Sequence, residues 1–180
     1  MERVKLLIGV AGPMGSGKSS IARALAEAAG GAHLSFGDAV RKEALRRGLG
    51  SDRDDLQNLG DQLIDEGWPE FVNLVLGTLE AEPDVVVVDG IRHPEAHAQL
   101  ERSSAGRNVV LVYVETDTAI RVARVMDRDR RSIAEVAAEM AHPNERQVEG
   151  LRQAASVILD NNRFVDIGDA LRRIHASVRK

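Results

Sequence analysis

A run of glycines followed by lysine and serine could bind phosphate. The segment GVAGPMGSGKSS, residues 9–20, places Gly12, Gly17, Lys18 and Ser19 at the spacing G-x-x-x-x-G-K-[ST]. Glycine lets backbone N–H groups approach phosphate oxygens, and the N–H groups that open the next helix point at the same anion. Lysine would reach the β- and γ-phosphates, and the serine hydroxyl would ligate Mg²⁺. We predict a nucleotide site formed by Gly12, Pro13, Met14, Gly15, Ser16, Gly17, Lys18, Ser19 and Ser20.

A second acidic group could complete a metal site. The segment DVVVVDG, residues 84–90, places Asp89 after four consecutive valines. In phosphoryl-transfer proteins with such a glycine loop, an aspartate at the end of a buried strand helps to hold Mg²⁺. Asp-Gly is also a common turn pair, which is the alternative interpretation. We predict that Ser19 and Asp89 bind the metal.

Two arginines follow predicted strands and could grip a second phosphate. Arginine suits this task because its guanidinium group binds phosphate through paired donors. Arg41 ends the segment SFGDAVR, three residues after Asp38, and Arg92 lies in DGIRHPE. Arg92 would lie just past the carboxyl end of a strand, where open α/β sheets bind ligands. Arg41 and Arg92 are therefore candidates to bind a second phosphate, although a solvated helix face is the alternative for Arg41.

A segment later in the chain concentrates basic residues that could bind an anion. The segment RVARVMDRDRRS, residues 121–132, contains Arg124 and Arg128 four residues apart, hence on one helix face. Arg130 and Arg131 would fall in the turn that follows. With the aspartates nearby, an exposed helix of mixed charge is the alternative. We favour Arg124 and Arg128 as the phosphate-binding pair.

The elements that must position these residues alternate between strands and helices. Five apolar runs predict strands at Val4–Val10, Ala32–Phe36, Asp84–Asp89, Asn108–Glu115 and Ser156–Asp160. Their near-continuous hydrophobicity is typical of a parallel sheet covered on both faces. The intervening segments have helical periodicity. The chain is therefore predicted to form one α/β domain of doubly wound type.

Capping residues predict where several helices begin and end. Ser51 is a predicted N-cap, Pro69 and Pro94 are predicted first-turn residues, and SIAE at 132–135 matches a capping box. Glycines near the ends of the helical patterns predict three helix stops, at Gly48, Gly67 and Gly150.

Composition excludes several classes of function. The 180 residues are 43% apolar and carry a net charge of -4, so no global attraction to nucleic acid or anionic membrane is expected. The absence of cysteine excludes disulfides and thiolate metal sites. No signal peptide or membrane-length apolar run is evident, which predicts a soluble cytoplasmic protein.

The motifs together resemble the P-loop nucleoside monophosphate kinase superfamily. GPMGSGKS, GDAVR and DGIR-P carry this resemblance. The segments LQNLGDQLIDEGWPEF, VVVVDGIRHPEA, HPNE and ILDNN are similar to the deoxynucleoside monophosphate kinase group. Archaeal P-loop proteins share GD-VR and DGIR as well. The chain departs from the deoxynucleotide group at GDQLIDE, which is acidic where that group commonly has a basic residue.

The resemblance implies a P-loop NTPase three-layer sandwich with a five-stranded parallel sheet. It implies an acceptor-binding helical region at about 37–80 and a lid at about 124–145. It also implies ATP and Mg²⁺ as cofactors and the catalytic residues Lys18, Asp38, Arg92, Arg124 and Arg128. Asp38, Arg41 and Arg92 would face the acceptor monophosphate, and its base or sugar would be lined by Gln57, Asp61 and Trp68. Asn161 or Asn162 would contact the donor adenine. The alternatives are a core anchor for Trp68 and turn chemistry for Asn161.

The expected activity is phosphoryl transfer from ATP to a nucleoside or deoxynucleoside monophosphate. Two alternatives stay open. One is a kinase of another phosphorylated small molecule such as dephospho-coenzyme A, although that family typically has Asp-x-Asp where this chain has SFGDAVR. The other is a nucleotide-controlled ATPase that regulates a partner. A monomer or a homodimer is expected.

Overall fold

A parallel five-stranded sheet forms the centre of the molecule. The computed structural model describes residues 4–79, 81–130, 132–141 and 143–178. The strands are β1 Leu6–Ala11, β2 Ala32–Ser35, β3 Val85–Ile91, β4 Asn108–Glu115 and β5 Val157–Asp160. They pair in parallel in the order β2-β3-β1-β4-β5. Every strand was predicted to within two residues at each end, and the predicted fold class is confirmed.

Helices cover both faces of this sheet. In the described part of the chain they are α1 Lys18–Ala28, α2 Phe36–Arg47, α3 Arg53–Glu66, α4 Trp68–Leu76, α5 Pro94–Arg102, α6 Thr118–Asp129, α7 Ile133–Met140, α8 Pro143–Ala154 and α9 Ile167–Val178. Among the residues described, none of the helices has the length and apolar character needed to cross a membrane.

Two hydrophobic clusters separate the three layers. Alternate residues of β1 belong to different clusters: Leu7 packs towards α2–α5 and α8, whereas Leu6 and Ile8 pack towards α1 and α9. Both faces of each central strand are therefore buried, which explains the continuous apolar runs in the sequence. Burial of both faces holds the carboxyl ends of the strands at one rigid edge.

Strand β3 has an irregularity in its pairing with β1, directly after Asp89. Its register against β1 shifts after the pair Val10 and Asp89. Gly90 has a φ of 85°, in the left-handed region, and the strand then continues to Ile91. The Asp-Gly pair thus forms a bulge within the strand rather than a turn that ends it.

Most of the predicted helix boundaries agree with the structure. Gly48 and Gly67 are C-cap residues, and Pro69 and Pro94 lie in the first turns of α4 and α5. Ser132 and Glu135 form the predicted capping box: the Ser132 hydroxyl accepts from the Glu135 N–H, and the Glu135 carboxylate accepts from the Ser132 N–H.

Two boundary predictions are wrong. The N-cap of α3 is Asp52, whose side chain accepts a hydrogen bond of 2.9 Å from the N–H of Asp55, so Ser51 lies one residue outside the helix end. Gly150 lies inside α8 and does not end it. A glycine within a helix is tolerated when the flanking residues pack well, and Val148 and Leu151 are both buried here.

Candidate active site

A cleft of about 1060 Å³ opens at the carboxyl edge of the sheet. Its walls come from the glycine loop after β1, from α2 and α3, from the end of β3, and from α6 and α7. The structure brings many of the predicted site residues together in its lining: Met14, Gly15, Lys18, Ser19, Arg41, Gln57, Asp61, Trp68, Asp89, Arg92 and Arg128. Residues that are far apart in the sequence thus share one space.

The glycine loop adopts a conformation that presents backbone N–H groups. Gly15 and Gly17 have φ values of 78° and 84°, which residues with a Cβ rarely adopt. Helix α1 begins directly afterwards at Lys18, so its first N–H groups have no partner within the helix. The ammonium group of Lys18 donates to the carbonyl of Pro13 at 3.4 Å. This arrangement suits a phosphate group at the helix start.

Three side chains hold the loop from behind through one carbonyl. The Ser16 carbonyl accepts hydrogen bonds from Thr116 Oγ1 at 3.1 Å, Arg124 Nη1 at 3.4 Å and Asn161 Nδ2 at 2.7 Å. Because the peptide unit is planar and trans, fixing this carbonyl also fixes the direction of the next N–H, that of Gly17. The sequence analysis missed Thr116, since a lone threonine after a strand gives no distinctive signal.

Arg124 and Asn161 therefore lie against the loop and do not line the cleft. Arg124 also donates to the Asn161 carbonyl at 3.0 Å, which joins α6 to the segment after β5. Asn162 accepts from the N–H of Asp117 at 2.8 Å, which is turn chemistry. The phosphate contact of Arg124 and the adenine contact of Asn161 remain predictions, and the contacts observed here support the loop.

The predicted metal site contains a buried carboxylate oxygen. Asp89 is 4% exposed, and its Oδ1 atom has no hydrogen-bond partner in the described part of the chain. A buried carboxylate oxygen without a partner is unfavourable unless a ligand satisfies it. Ser19 supplies a hydroxyl to the same cleft. Hard oxygen donors of this kind, with water and phosphate oxygens completing the shell, fit Mg²⁺.

The two predicted acceptor arginines share the cleft with Lys18. Arg41 and Arg92 are both exposed side chains that line it. The guanidinium group of Arg41 forms a 2.7 Å ion pair with Asp38, which lies one turn earlier on α2 and does not itself line the cleft. Ser35 caps α2 by accepting from the N–H of Asp38 at 3.3 Å. Asp38 is thus placed to orient Arg41, and its contact with a ligand remains a prediction.

The predicted lid segment packs on the glycine loop through apolar contacts. Met14, Val125 and Val136 form a small buried cluster that connects the loop to α6 and α7. Arg128 reaches the cleft and forms a 2.6 Å ion pair with Asp129. Two residues of the predicted lid, Arg131 and His142, lie outside the described residues. The side chains of the other HPNE residues, 143–145, lie outside them as well.

Trp68 both anchors a helix and lines the cleft. Its ring stacks on Phe71 with centroids 6.1 Å apart and tilts against His93 at 5.1 Å. The ring is half-buried and packs on the larger hydrophobic cluster. The two interpretations of the sequence are therefore compatible, because one side chain can support α4 and still present an edge to a ligand.

His93 is a cleft residue that the sequence analysis did not place in the site. Partial burial lowers the pKa of its imidazole below the ordinary value of 6.5, and the positive charge of Arg92 acts in the same direction. Glu95, Asp61 and a hydrogen bond with Gln147 oppose this shift. Its position directly after Arg92 in DGIRHPE was the available signal.

Comparison with known proteins identifies the family. The family model for an AAA domain matches residues 11–141. The chain belongs to this P-loop family. The UPF0200 protein of Aeropyrum pernix is 35% identical over 127 residues, which cover 70% of this chain and 66% of that relative. The match therefore spans about two thirds of the relative's length.

Solved structures with the same fold include small-molecule kinases. Shikimate kinase from Bacteroides thetaiotaomicron has a TM-score of 0.56 and 16% identity, with 97% of this chain and 94% of that chain covered. A gluconokinase from Sinorhizobium meliloti has a TM-score of 0.53 and 20% identity, with 99% and 94% covered. The P-loop family member described here thus has a P-loop kinase fold, and the superfamily resemblance seen in its motifs is confirmed.

Proposed function

We propose that this protein transfers the γ-phosphoryl group of ATP to a nucleoside or deoxynucleoside monophosphate. One observation carries the proposal: the phosphate loop with Lys18 and Ser19 shares a single cleft with Arg41 and Arg92. The cleft volume of about 1060 Å³ lies at the upper end of the range for a small-ligand pocket, which suits two ligands side by side. ADP and the acceptor diphosphate would be the products.

The donor end of the cleft binds the triphosphate. Backbone N–H groups of the loop and the start of α1 hold phosphate oxygens, and Lys18 neutralises charge on the β- and γ-phosphates. Ser19 and Asp89 would hold Mg²⁺, which supplies neutralisation of phosphate charge when bound. The three hydrogen bonds to the Ser16 carbonyl keep the loop in the conformation that binds phosphate.

The acceptor end binds the monophosphate. Arg41, oriented by Asp38, and Arg92 offset the repulsion between the acceptor phosphate and the γ-phosphate of ATP. An oxygen of the acceptor phosphate then forms the new bond to the γ-phosphorus as the bond to ADP breaks. Arg128 from the lid segment adds positive charge near the transferred group. A cytoplasmic location belongs to the same proposal.

The activity is tested by ADP release across an acceptor panel. Ribonucleoside and deoxyribonucleoside monophosphates, dephospho-coenzyme A and a no-acceptor control are compared with ATP and Mg²⁺. We expect turnover that depends on a nucleoside monophosphate and is lost in Lys18→Ala. Turnover with dephospho-coenzyme A alone would transfer the proposal to that acceptor, and turnover that no acceptor stimulates would reject a kinase.

Arg92 provides a specific test of the acceptor site. We predict that Arg92→Ala lowers kcat/KM for the acceptor about 10- to 100-fold, because a charge-assisted hydrogen bond contributes about 1.5–3 kcal/mol. The KM for ATP should stay close to the wild-type value. Steady-state kinetics with each substrate varied in turn measure both effects.

Arg102→Ala is the matched control for this substitution. Arg102 is an exposed arginine at the end of α5, and it does not line the cleft. Its variant should keep wild-type kinetics for both substrates. Unchanged acceptor kinetics in Arg92→Ala would show that the second phosphate binds elsewhere.

A further inference from the structure

One face of α3 forms a wall of the cleft at its acceptor end. The α3 residues that line the cleft follow helical spacing beyond the first turn, and they are Arg53, Asp54, Leu56, Gln57, Gly60, Asp61 and Ile64. Leu56 and Ile64 are half-buried and pack on the larger hydrophobic cluster, which holds the helix in place. Gln57 and Asp61 lie one helical turn apart, and they are the polar side chains at the middle of this face.

Gly60 leaves a gap beside these two side chains. Glycine within a helix is less favourable than alanine by about 1 kcal/mol. Within the described part of the chain, a Cβ at Gly60 would have no atom within 4 Å, so packing against these residues does not require glycine there. The missing side chain instead leaves the helix backbone open to the cleft. A flat ring can lie against this surface.

The same wall lies near the arginine assigned to the acceptor phosphate. Asp61 and Arg92 both act on the imidazole of His93, and they shift its pKa in opposite directions. His93 in turn contacts the ring of Trp68. Asp61, Arg92 and the aromatic pair therefore belong to one end of the cleft. A nucleotide held there by its phosphate would bring its base to the α3 face.

Gln57 and Asp61 present a defined pattern of hydrogen-bonding groups. Gln57 Nε2 donates one N–H to Asp61 Oδ1 at 3.1 Å. This contact orients the amide with its nitrogen towards the carboxylate, and the second N–H of that nitrogen is available to a ligand. The carboxylate of Asp61 offers further acceptor positions. On the side of the carboxylate the pair therefore presents a donor and two acceptors, and the Oε1 atom of Gln57 adds an acceptor on the other side of the amide.

Guanine carries the complementary pattern. Its edge has the O6 acceptor, the N1–H donor and the N2–H donors in this order. Adenine and cytosine could pair an amino group with Gln57 Oε1 and a ring nitrogen with Gln57 Nε2, but adenine has no further donor for the Asp61 carboxylate and cytosine would place its O2 carbonyl against it. Uracil and thymine end with a carbonyl, which would meet the Asp61 carboxylate. Among the common bases, guanine matches at all three positions.

We infer that the acceptor is a guanine nucleoside monophosphate, read by Gln57 and Asp61 across the gap at Gly60. This inference rests on the proposed function and adds the identity of the base. The carboxylate of Asp61 accepts from the N1–H and N2–H groups of guanine.

The test compares monophosphates that differ at one edge position. For the wild-type protein, kcat/KM should be highest for GMP or dGMP. It should fall about tenfold or more for IMP, which lacks the N2 amino group, because a hydrogen bond to a charged group is lost. AMP, CMP and UMP should be poorer acceptors still.

Asp61→Asn should change the order of acceptors. Asparagine can still accept from N1–H, but its amide donor opposes the N2 amino group of guanine and suits the O2 carbonyl of xanthine. We expect GMP to fall below IMP and XMP to become the best purine acceptor. Asp65→Asn makes the same change on the same helix outside the cleft lining, and it should keep the wild-type order.

The outcomes separate the inference from the proposed function. A wild-type preference for another base would overturn the guanine assignment while the kinase activity stands. An equal loss for all acceptors in Asp61→Asn, with no gain for XMP, would show that Asp61 contacts the sugar or supports the helix. Absence of turnover with every monophosphate would reject the proposed function, and the inference with it.

Discussion

At the scale of single residues, Gly60 couples stability and binding in opposite directions. We predict that Gly60→Ala stabilises the protein by roughly 0.5–1 kcal/mol, because alanine is the better helix former and its Cβ meets no protein atom. The same methyl group would fill the gap on the α3 face, so KM for the acceptor should rise. Denaturant unfolding and steady-state kinetics measure the two effects.

Gly150 supplies the matched control. It also lies inside a helix, and a Cβ there also meets no atom within 4 Å, but it is outside the cleft lining. Gly150→Ala should give a similar gain in stability without a change in acceptor KM. If both variants bind the acceptor as the wild type does, the gap at Gly60 has no role in binding.

At the scale of elements, the start of α3 is set by a single side chain. Asp52 accepts from the N–H of Asp55, which satisfies one of the donors left unpaired at a helix N-terminus. We predict that Asp52→Ala lowers the free energy of unfolding by about 1 kcal/mol, whereas Ser51→Ala leaves it nearly unchanged. Urea unfolding of the two variants compares them directly. If Ser51→Ala lost more free energy of unfolding than Asp52→Ala, Ser51 would be the N-cap.

Helix α3 also forms a wall of the cleft, so its cap has a second consequence. Its N-terminal turn includes Arg53 and Asp54, which line the cleft together with Gln57 further along the helix. Fraying of this turn would displace the residues that line the acceptor end. The cap thus helps to keep the wall of the cleft in one conformation.

At the scale of the whole molecule, a buried carboxylate takes part in an ion-pair network that joins α2 to α3. Glu43 on α2 is 5% exposed and forms ion pairs of 2.6 Å with Arg46 and Arg47, and Arg47 reaches Glu66 at the end of α3 at 3.4 Å. Hydrogen bonds from Arg46 and Arg47 lower the pKa of Glu43 from 4.5 to about 2. The ionised form is therefore favoured by folding.

This shift predicts how stability depends on pH. Because the folded-state pKa lies below the unfolded value, the ionised Glu43 contributes stability above about pH 4.5, and this contribution is lost as the pH falls towards 2. Glu43→Gln should therefore be less stable than the wild type at pH 7, and the difference should shrink as the pH falls.

Denaturant unfolding at several pH values measures this difference. Glu101→Gln, an exposed position on α5, is the control and should track the wild type at each pH. A stability difference between Glu43→Gln and the wild type that stays constant down to pH 2 would contradict the assignment of the ionised pair.

Much of the fold was predictable because the signals were local. Five apolar runs gave the strands, and the glycine loop was recognisable since its residues are contiguous. Asp52 and Ser51 were confused because both are good capping residues and lie side by side. Gly150 was wrongly predicted to end a helix because a glycine gives the same sequence signal inside a helix and at its end.

The candidate site likewise has parts that the sequence could predict and parts that it could not. Arg92 and Asp89 could be placed at the sheet edge from the strand that precedes them. The sequence could not show that Arg124 contacts the loop while Arg128 reaches the cleft. Both lie on one helix face, and the way α6 packs against the loop decides which of them reaches the cleft. The contact of His93 with Trp68 depends likewise on how α4 packs against α5, whose N-cap is His93.

The amino-acid sequence alone determined the strands, the phosphate loop and the sheet edge at which ligands bind, since each depends on interactions over a few residues. Tertiary structure alone decided which side chains share the cleft, which ones brace the loop from behind, and that Gln57 and Asp61 stand together beside a gap. Those arrangements depend on the angles at which helices pack, and such angles are set by contacts between residues far apart in the chain.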